Sequence, residues 1–180
     1  MSDLQDAWLS AWNFAAIAHR GQSVPGQDLP YLVHLGAVSM EILVAHQQLA
    51  FAKPRLAVQC ALLHDTLEDT DAQEAAIVST FGVEVAAGVR ALTKDASLPK
   101  HEAMTDSLRR IREQPSEIWA VKLADRITNL APPPAKWSSE KIATYREEAE
   151  VILVALREAH APLAARLARR ISEYPPGRLG

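Results

Sequence analysis

A single cysteine, Cys60, occurs among the 180 residues, so no internal disulfide can brace the fold. Its apolar neighbours, Val58 to Leu63, read as buried core in a reducing compartment, which points to the cytoplasm. Cation excess is also missing: 19 Lys plus Arg face 22 Asp plus Glu. A net charge of −3 leaves no global positive field to draw the protein to DNA, RNA or an anionic membrane. No apolar run approaches the roughly 18 residues of a membrane span, and Met1 to Asp6 lacks the basic stretch of an export signal. Period-two alternation is nearly absent, which removes the support for strands.

What is present is helical punctuation around a 48% hydrophobic composition, enough for one well-buried core. Leu4, Trp8, Ala11, Trp12, Ala15 and Ala18 fall at the spacing of one helical face, and Gly21 stops that helix before a loop over 22–29. Pro30 suits the first turn of a second helix through Val33, Ala37, Met40 and Val44, because its missing N–H would be unpaired there in any case. Pro54 does the same for a third, carrying Leu56, Val58, Ala61 and Leu62. Thr70, Asp71 and Ala72 precede a short helix around Ile77, closed by Phe81-Gly82 and followed by another over 83–92. Pro99 opens a helix through Leu108 and Ile111, and Pro115-Ser116 opens one through Ile118, Val121 and Ala124. Pro132, Pro133 and Pro134 terminate the latter, and two last helices cover about 138–159 and 163–174. The reading is an all-α bundle with one domain over 1–174 and a disordered tail at 175–180.

Within that bundle, His64-Asp65 places two metal-ligand types at the end of the apolar run Cys60-Ala61-Leu62-Leu63. A buried, unpaired Asp would cost several kcal/mol, so such a pair must be hydrogen-bonded, ion-paired or metal-bound. The dipeptide alone is a weak motif. His34 lies in Tyr31-Leu32-Val33-His34-Leu35, and Asp125 follows Val121-Lys122-Leu123-Ala124, each at a position that faces inward. Three helices thus bring imidazole or carboxylate toward the core, and His34, His64, Asp65 and Asp125 form a candidate metal set. Two nitrogens with carboxylate oxygens and no thiolate suit Mn²⁺, Fe²⁺ or a catalytic Zn²⁺ rather than a structural zinc. Glu68 and Asp69 stand four residues after His64 and Asp65, so one further helical turn would set each acid beside a presumed ligand. For His34 and Asp125 singly, a satisfied core hydrogen bond is the plainer reading, and Glu68-Asp69 reads equally as a solvated charge run. Lys94, Lys100, Lys122, Arg126, Lys141 and Arg146 are surface charges or, if they converge on the acids, an anion site. Tyr31, Tyr145 and Asn129 could add stacking and hydrogen bonds for a nucleotide; no partner pattern is evident for His19, His46, His101 or His160.

The stretches Ala18-His19-Arg20-Gly21-Gln22, Pro30-Tyr31-Leu32-Val33-His34, Ala61-Leu62-Leu63-His64-Asp65-Thr66-Leu67-Glu68-Asp69-Thr70, Phe81-Gly82, Leu92-Thr93-Lys94 and Lys122-Leu123-Ala124-Asp125-Arg126-Ile127-Thr128-Asn129-Leu130, in this order, resemble the HD-domain phosphohydrolases. Within them the chain is similar to the hydrolase domain of the RelA/SpoT alarmone family, and most of all to the free-standing small alarmone hydrolases. The resemblance implies an HD-domain helical bundle with Mn²⁺ held by His34, His64, Asp65 and Asp125. It also implies removal of the 3′-pyrophosphate from (p)ppGpp, with Glu68 and Asp69 as the catalytic pair. Tyr31, Asn129 and Tyr145 match nucleotide-contacting positions, and Lys100 and Lys141 match basic residues near the phosphates. Where the guanine-specific members carry an Arg-Lys pair, this chain has Ser23-Val24-Pro25, so a stacking cation is lost and (p)ppApp becomes a candidate substrate. Leu35 stands where the family often has Pro, which should alter only the local turn. Two other readings remain: a phosphatase on NADPH or a nucleoside monophosphate, and a non-catalytic nucleotide-sensing domain. None involves a nucleic acid or a membrane, and the oligomeric state is not set by the sequence.

Overall fold

A computed structural model describes residues 3–175, except the side chains of Lys100 and His101. It is all-α. Among the described residues the helices run α1 (Leu4–Ala18), α2 (Leu32–Gln48), α3 (Pro54–Leu63), α4 (Thr66–Asp69), α5 (Glu74–Phe81), α6 (Val83–Leu92), α7 (Lys100–Arg112), α8 (Ser116–Asn129), α9 (Ser139–Leu156) and α10 (Ala161–Ser172). The strand-free expectation holds among these residues, where the sole β pairing is an isolated bridge between Ser23 and Pro30. No helix among them is long and apolar enough to cross a membrane.

Helix α3 is buried on every side from Leu56 to Leu63, as an all-round apolar sequence requires. It packs against α1, α2, α6 and α8. Gly88 of α6 makes part of this possible, since a Cβ there would come within 2.6 Å of Ile118 and 2.9 Å of the Cys60 sulfur. Helix α8 is the second central element, buried at Ile118 and throughout Ala120–Ile127. Both central helices point their C-terminal ends at one place, and α2 brings its first turn there.

Two expectations need correction. The stripe Val33, Met40 and Val44 of α2 faces outward at 50%, 58% and 42% exposure, whereas Leu35, Val38, Ile42 and Ala45 form the core face. Apolar residues lie on both faces of α2, so two stripes share the helical period and only packing against α3 and α8 selects one. Leu35 is fully buried in the first turn and donates its N–H to the Tyr31 carbonyl, a bond that proline could not make. The second correction concerns the turn after α3, which does not continue as one helix. His64 and Asp65 form a break, and α4 restarts with Glu68 and Asp69 both donating backbone N–H to the Asp65 carbonyl. Of the tail at 175–180, only Pro175 falls among the described residues.

Candidate metal centre and flanking slot

The break after α3 aims His64 and Asp65 at α2 and α8. The Nδ1–H of His64 donates to the Ala61 carbonyl at 2.9 Å, leaving Nε2 facing inward, the nitrogen that would bind a metal once deprotonated. That Nε2 lies 3.3 Å from the Nε2 of His34. Asp125 Oδ1 sits 3.5 Å from His34 and 3.7 Å from His64, so the three residues offer ligand atoms within 4.8 Å of one another. Asp65 adjoins this trio, its Oδ2 2.9 Å from His64 and 3.6 Å from His34. Two facing ring nitrogens with shared carboxylate oxygens and no sulfur suit a divalent cation.

Each ligand-type group is held from behind. Asp125 accepts from Lys122 Nζ at 3.0 Å and from the Asn129 side-chain amide, one turn along α8. Asp65 accepts from the Tyr31 hydroxyl, and Tyr31 in turn stacks on His19 with ring centroids 4.9 Å apart. His19, for which no role is visible in sequence, shares a hydrogen bond through Nδ1 with Gln22 Oε1 at 2.6 Å, and Gln22 Nε2 approaches Asp69 at 3.5 Å. The signal for it was the quoted His19-Arg20-Gly21-Gln22 stretch.

Electrostatics follow the crowding. Burial opposes charge on His64, yet the Asp65 charge and the hydrogen bonds to Asp125 and Asp65 outweigh it and push the ring up to about 10. Burial works against ionised Asp125 too, but Lys122 and the two rings hold it well below the carboxylate range. Asp69 is pushed up by desolvation and then by Asp65 and Glu68, with Gln22 and Tyr31 opposing. Charge on His64 stabilises the metal-free fold fully below the ring's ordinary value near 6.5, and that contribution is lost as pH rises through about 10. A cation can take the same nitrogens only after they release their protons. The rise in Tm on adding a divalent cation such as Mn²⁺ is therefore expected to grow from about pH 6.5 to about pH 9. Thermal scans with and without the ion check this, and an increment that shrinks with pH would contradict it.

Two depressions flank the trio. On one side Glu68 and Asp69 line a shallow polar hollow with His19 and Gln22. Glu68 is gripped by one residue, accepting from the Lys94 backbone N–H at 2.9 Å and lying 3.3 Å from Lys94 Nζ. On the other side a slot of about 610 Å³ opens over His34, between the loop at Val24–Gln27 and a wall built by Trp137, Tyr145 and Tyr174. Asn129 and Lys141 line it as well. Burial pushes the Tyr145 hydroxyl up to about 12, so it remains a neutral donor. Behind Tyr145 lies the buried Arg126 guanidinium, 4.5 Å from the ring centre and 3.6 Å from Glu148.

The sequence-derived residues thus separate into groups. His34, His64, Asp65 and Asp125 come together; Glu68 and Asp69 share the polar hollow; Asn129, Lys141 and Tyr145 line the slot. Tyr31 is buried behind Asp65 and does not line the slot, and the Lys100 side chain lies outside the described residues. Trp137, unmarked in the sequence reading, forms part of the slot wall; its only sequence signal was position, between the Pro132–Pro134 run and the Ser138 helix cap.

The family model described as HD domain matches residues 11–168. A Danio rerio protein named guanosine-3′,5′-bis(diphosphate) 3′-pyrophosphohydrolase MESH1 is 32% identical over 165 residues, covering 88% of this chain and 89% of the relative. Its Homo sapiens counterpart of the same name is 31% identical over 154 residues, covering 83% and 84%. A solved structure described as "a metazoan ortholog of SpoT hydrolyzes ppGpp and plays a role in starvation responses" superposes with a TM-score of 0.80 at 29% identity, over 93% of this chain and 94% of that one.

Proposed function

Because this chain belongs to the HD-domain family, we propose that it is a metal-dependent nucleotide 3′-pyrophosphohydrolase. In this reading residues 1–174 form one hydrolase domain that cleaves the 3′-pyrophosphate of (p)ppGpp, with (p)ppApp as the adenine counterpart. The observation that carries the proposal is the meeting of His34, His64 and Asp125 between an acidic hollow and an aromatic, lysine-edged slot. A nucleotide 3′-pyrophosphate offers both chemistries, a flat base for the slot and anionic phosphates for the cation and lysines.

His34, His64, Asp65 and Asp125 would hold the cation, which we assign as Mn²⁺; bound there, it supplies Lewis acidity toward phosphoryl oxygen. The chain's own groups do the rest. Glu68 and Asp69 position water and accept its proton as its oxygen attacks phosphorus. The bond between that phosphorus and the ribose 3′-oxygen breaks, the 3′-oxygen takes up a proton, and pyrophosphate leaves. The Asp69 carboxyl, pushed up by burial and by Asp65 and Glu68, is the more readily protonated of the pair and so suits proton exchange. Lys122 and Asn129 keep Asp125 aimed at the rings, and Tyr31 does the same for Asp65.

A side-by-side assay of ppGpp, ppApp and NADPH with Mn²⁺, resolving pyrophosphate from orthophosphate, tests the reading. Pyrophosphate from at least one alarmone is expected. Orthophosphate from NADPH alone would overturn the substrate, and no product from any of the three would favour a nucleotide-sensing domain without catalysis.

A further inference from the structure

Trp137 is fixed by short-range chemistry. Its backbone N–H donates to the Pro134 carbonyl at 2.9 Å, and Ser138 then caps α9 by accepting from the Lys141 N–H at 3.2 Å. Three successive prolines before it restrict the approaching chain, so the indole is presented at a defined place on the slot wall. Pro134 also meets the opposite loop, since a Cβ at Gly26 would lie 3.6 Å from its ring. Trp137, Val24 and Pro25 therefore line the same slot, where the proline run and the 24–27 loop approach each other.

The indole is chemically under-used by the fold. Trp8 and Trp119 donate their ring N–H groups to Ser39 and to the Gln114 carbonyl, whereas among the described residues those of Trp12 and Trp137 have no acceptor, and of these two only Trp137 lines the slot. Tyr145 meets it in a T-shaped pair at 5.1 Å, and Lys141 Nζ lies 4.4 Å from the ring centre. The ammonium is a flexible, exposed cation on an aromatic face, and a phosphate is a stronger partner for it than an indole.

From this geometry we infer that Trp137 is the purine-stacking platform of the slot, taking the place of the cation that Ser23-Val24-Pro25 lacks, and that it accepts guanine and adenine alike. The inference rests on the nucleotide reading of the same slot. Stacking on an indole tolerates any base because every base has a π face, so the platform itself does not choose between guanine and adenine; edge-reading groups in the slot are found elsewhere, on Gln27 and Asn129. Lys141 leaves the ring face for the phosphates when the base arrives.

The test uses GDP and ADP as probes in the presence of Mn²⁺, following tryptophan fluorescence and, separately, heat of binding. Either nucleotide is expected to quench the wild-type protein. Trp137→Phe should lose the quench while binding within about threefold of wild type, since a phenyl ring still stacks. Trp137→Ala should bind both nucleotides roughly tenfold more weakly, with their affinity ratio unchanged. A quench retained in Trp137→Phe would overturn the inference, because the reporter would then be Trp8, Trp12 or Trp119, none of which lines the slot. So would wild-type affinity in Trp137→Ala, or a loss confined to one purine. The phenylalanine variant keeps the test decisive if the alanine variant does not fold. Alarmone cleavage without a Trp137-dependent quench would remove the platform and leave the proposed reaction standing; the quench without cleavage would do the reverse.

Discussion

Asp125→Ala is expected to lose bound Mn²⁺ and catalytic activity together, the latter by roughly a thousandfold or more, because the cation's contribution to stabilising phosphoryl charge is worth several kcal/mol. Asp125 is one of two carboxylates that face both imidazoles, at 3.5 and 3.7 Å, and the more deeply buried one, so its removal leaves the two nitrogens with Asp65 alone. It also strands the Lys122 ammonium, whose side chain is only 9% exposed and whose partner at 3.0 Å disappears. Breaking such a buried pair costs about 3–5 kcal/mol, so a fall in Tm is expected alongside the loss of metal. Asp125→Asn separates the two effects: it keeps the side-chain shape and an acceptor for Lys122, and should fold better while still binding metal poorly. Metal content after gel filtration, Tm and pyrophosphate release, measured on both variants, check this. Retention of stoichiometric Mn²⁺ by Asp125→Ala would remove Asp125 from the ligand set.

Glu68→Gln is expected to do the opposite for metal. Glu68 lies in the polar hollow, outside the trio, and is anchored on Lys94 at the end of α6. A glutamine can still accept the Lys94 backbone N–H through its amide oxygen, so the side chain should stay in place. What it loses is the ability to take a proton. A drop in kcat of roughly a hundredfold to ten-thousandfold is expected, with KM and metal content little changed. Loss of metal in this variant, or a rise in KM at unchanged kcat, would move Glu68 out of the proton-transfer role and into binding.

These predictions draw on parts of the molecule that differ in how openly the sequence carried them. The helices were legible because Pro30, Pro54, Pro99, Pro115 and the Pro132–Pro134 run act within a few residues, and so does Phe81-Gly82. The ligand-type residues were legible for a related reason: His34, His64 and Asp125 interrupt apolar stretches, and a polar group at an inward position needs a partner. The face of α2 was not legible, since Val33-Met40-Val44 and Leu35-Val38-Ile42 share the helical period equally. Nor was the break at His64-Asp65, where the side chain of His64 satisfies the Ala61 carbonyl and the chain turns within an otherwise unbroken pattern.

Composition, spacing and punctuation by themselves determined an all-α chain with one family of inward-facing nitrogen and carboxylate groups, because those signals are local and each is read over a turn or two of helix. Only the tertiary structure decided that Tyr31 backs Asp65, that His19 reaches Asp69 through Gln22, and that Trp137 lines one slot with Val24, Pro25 and His34. Those pairings join residues 31 and 65, 22 and 69, and 24 and 137. No local propensity encodes such distances along the chain; they are set by how α3 and α8 pack at the centre and aim their ends at the same point.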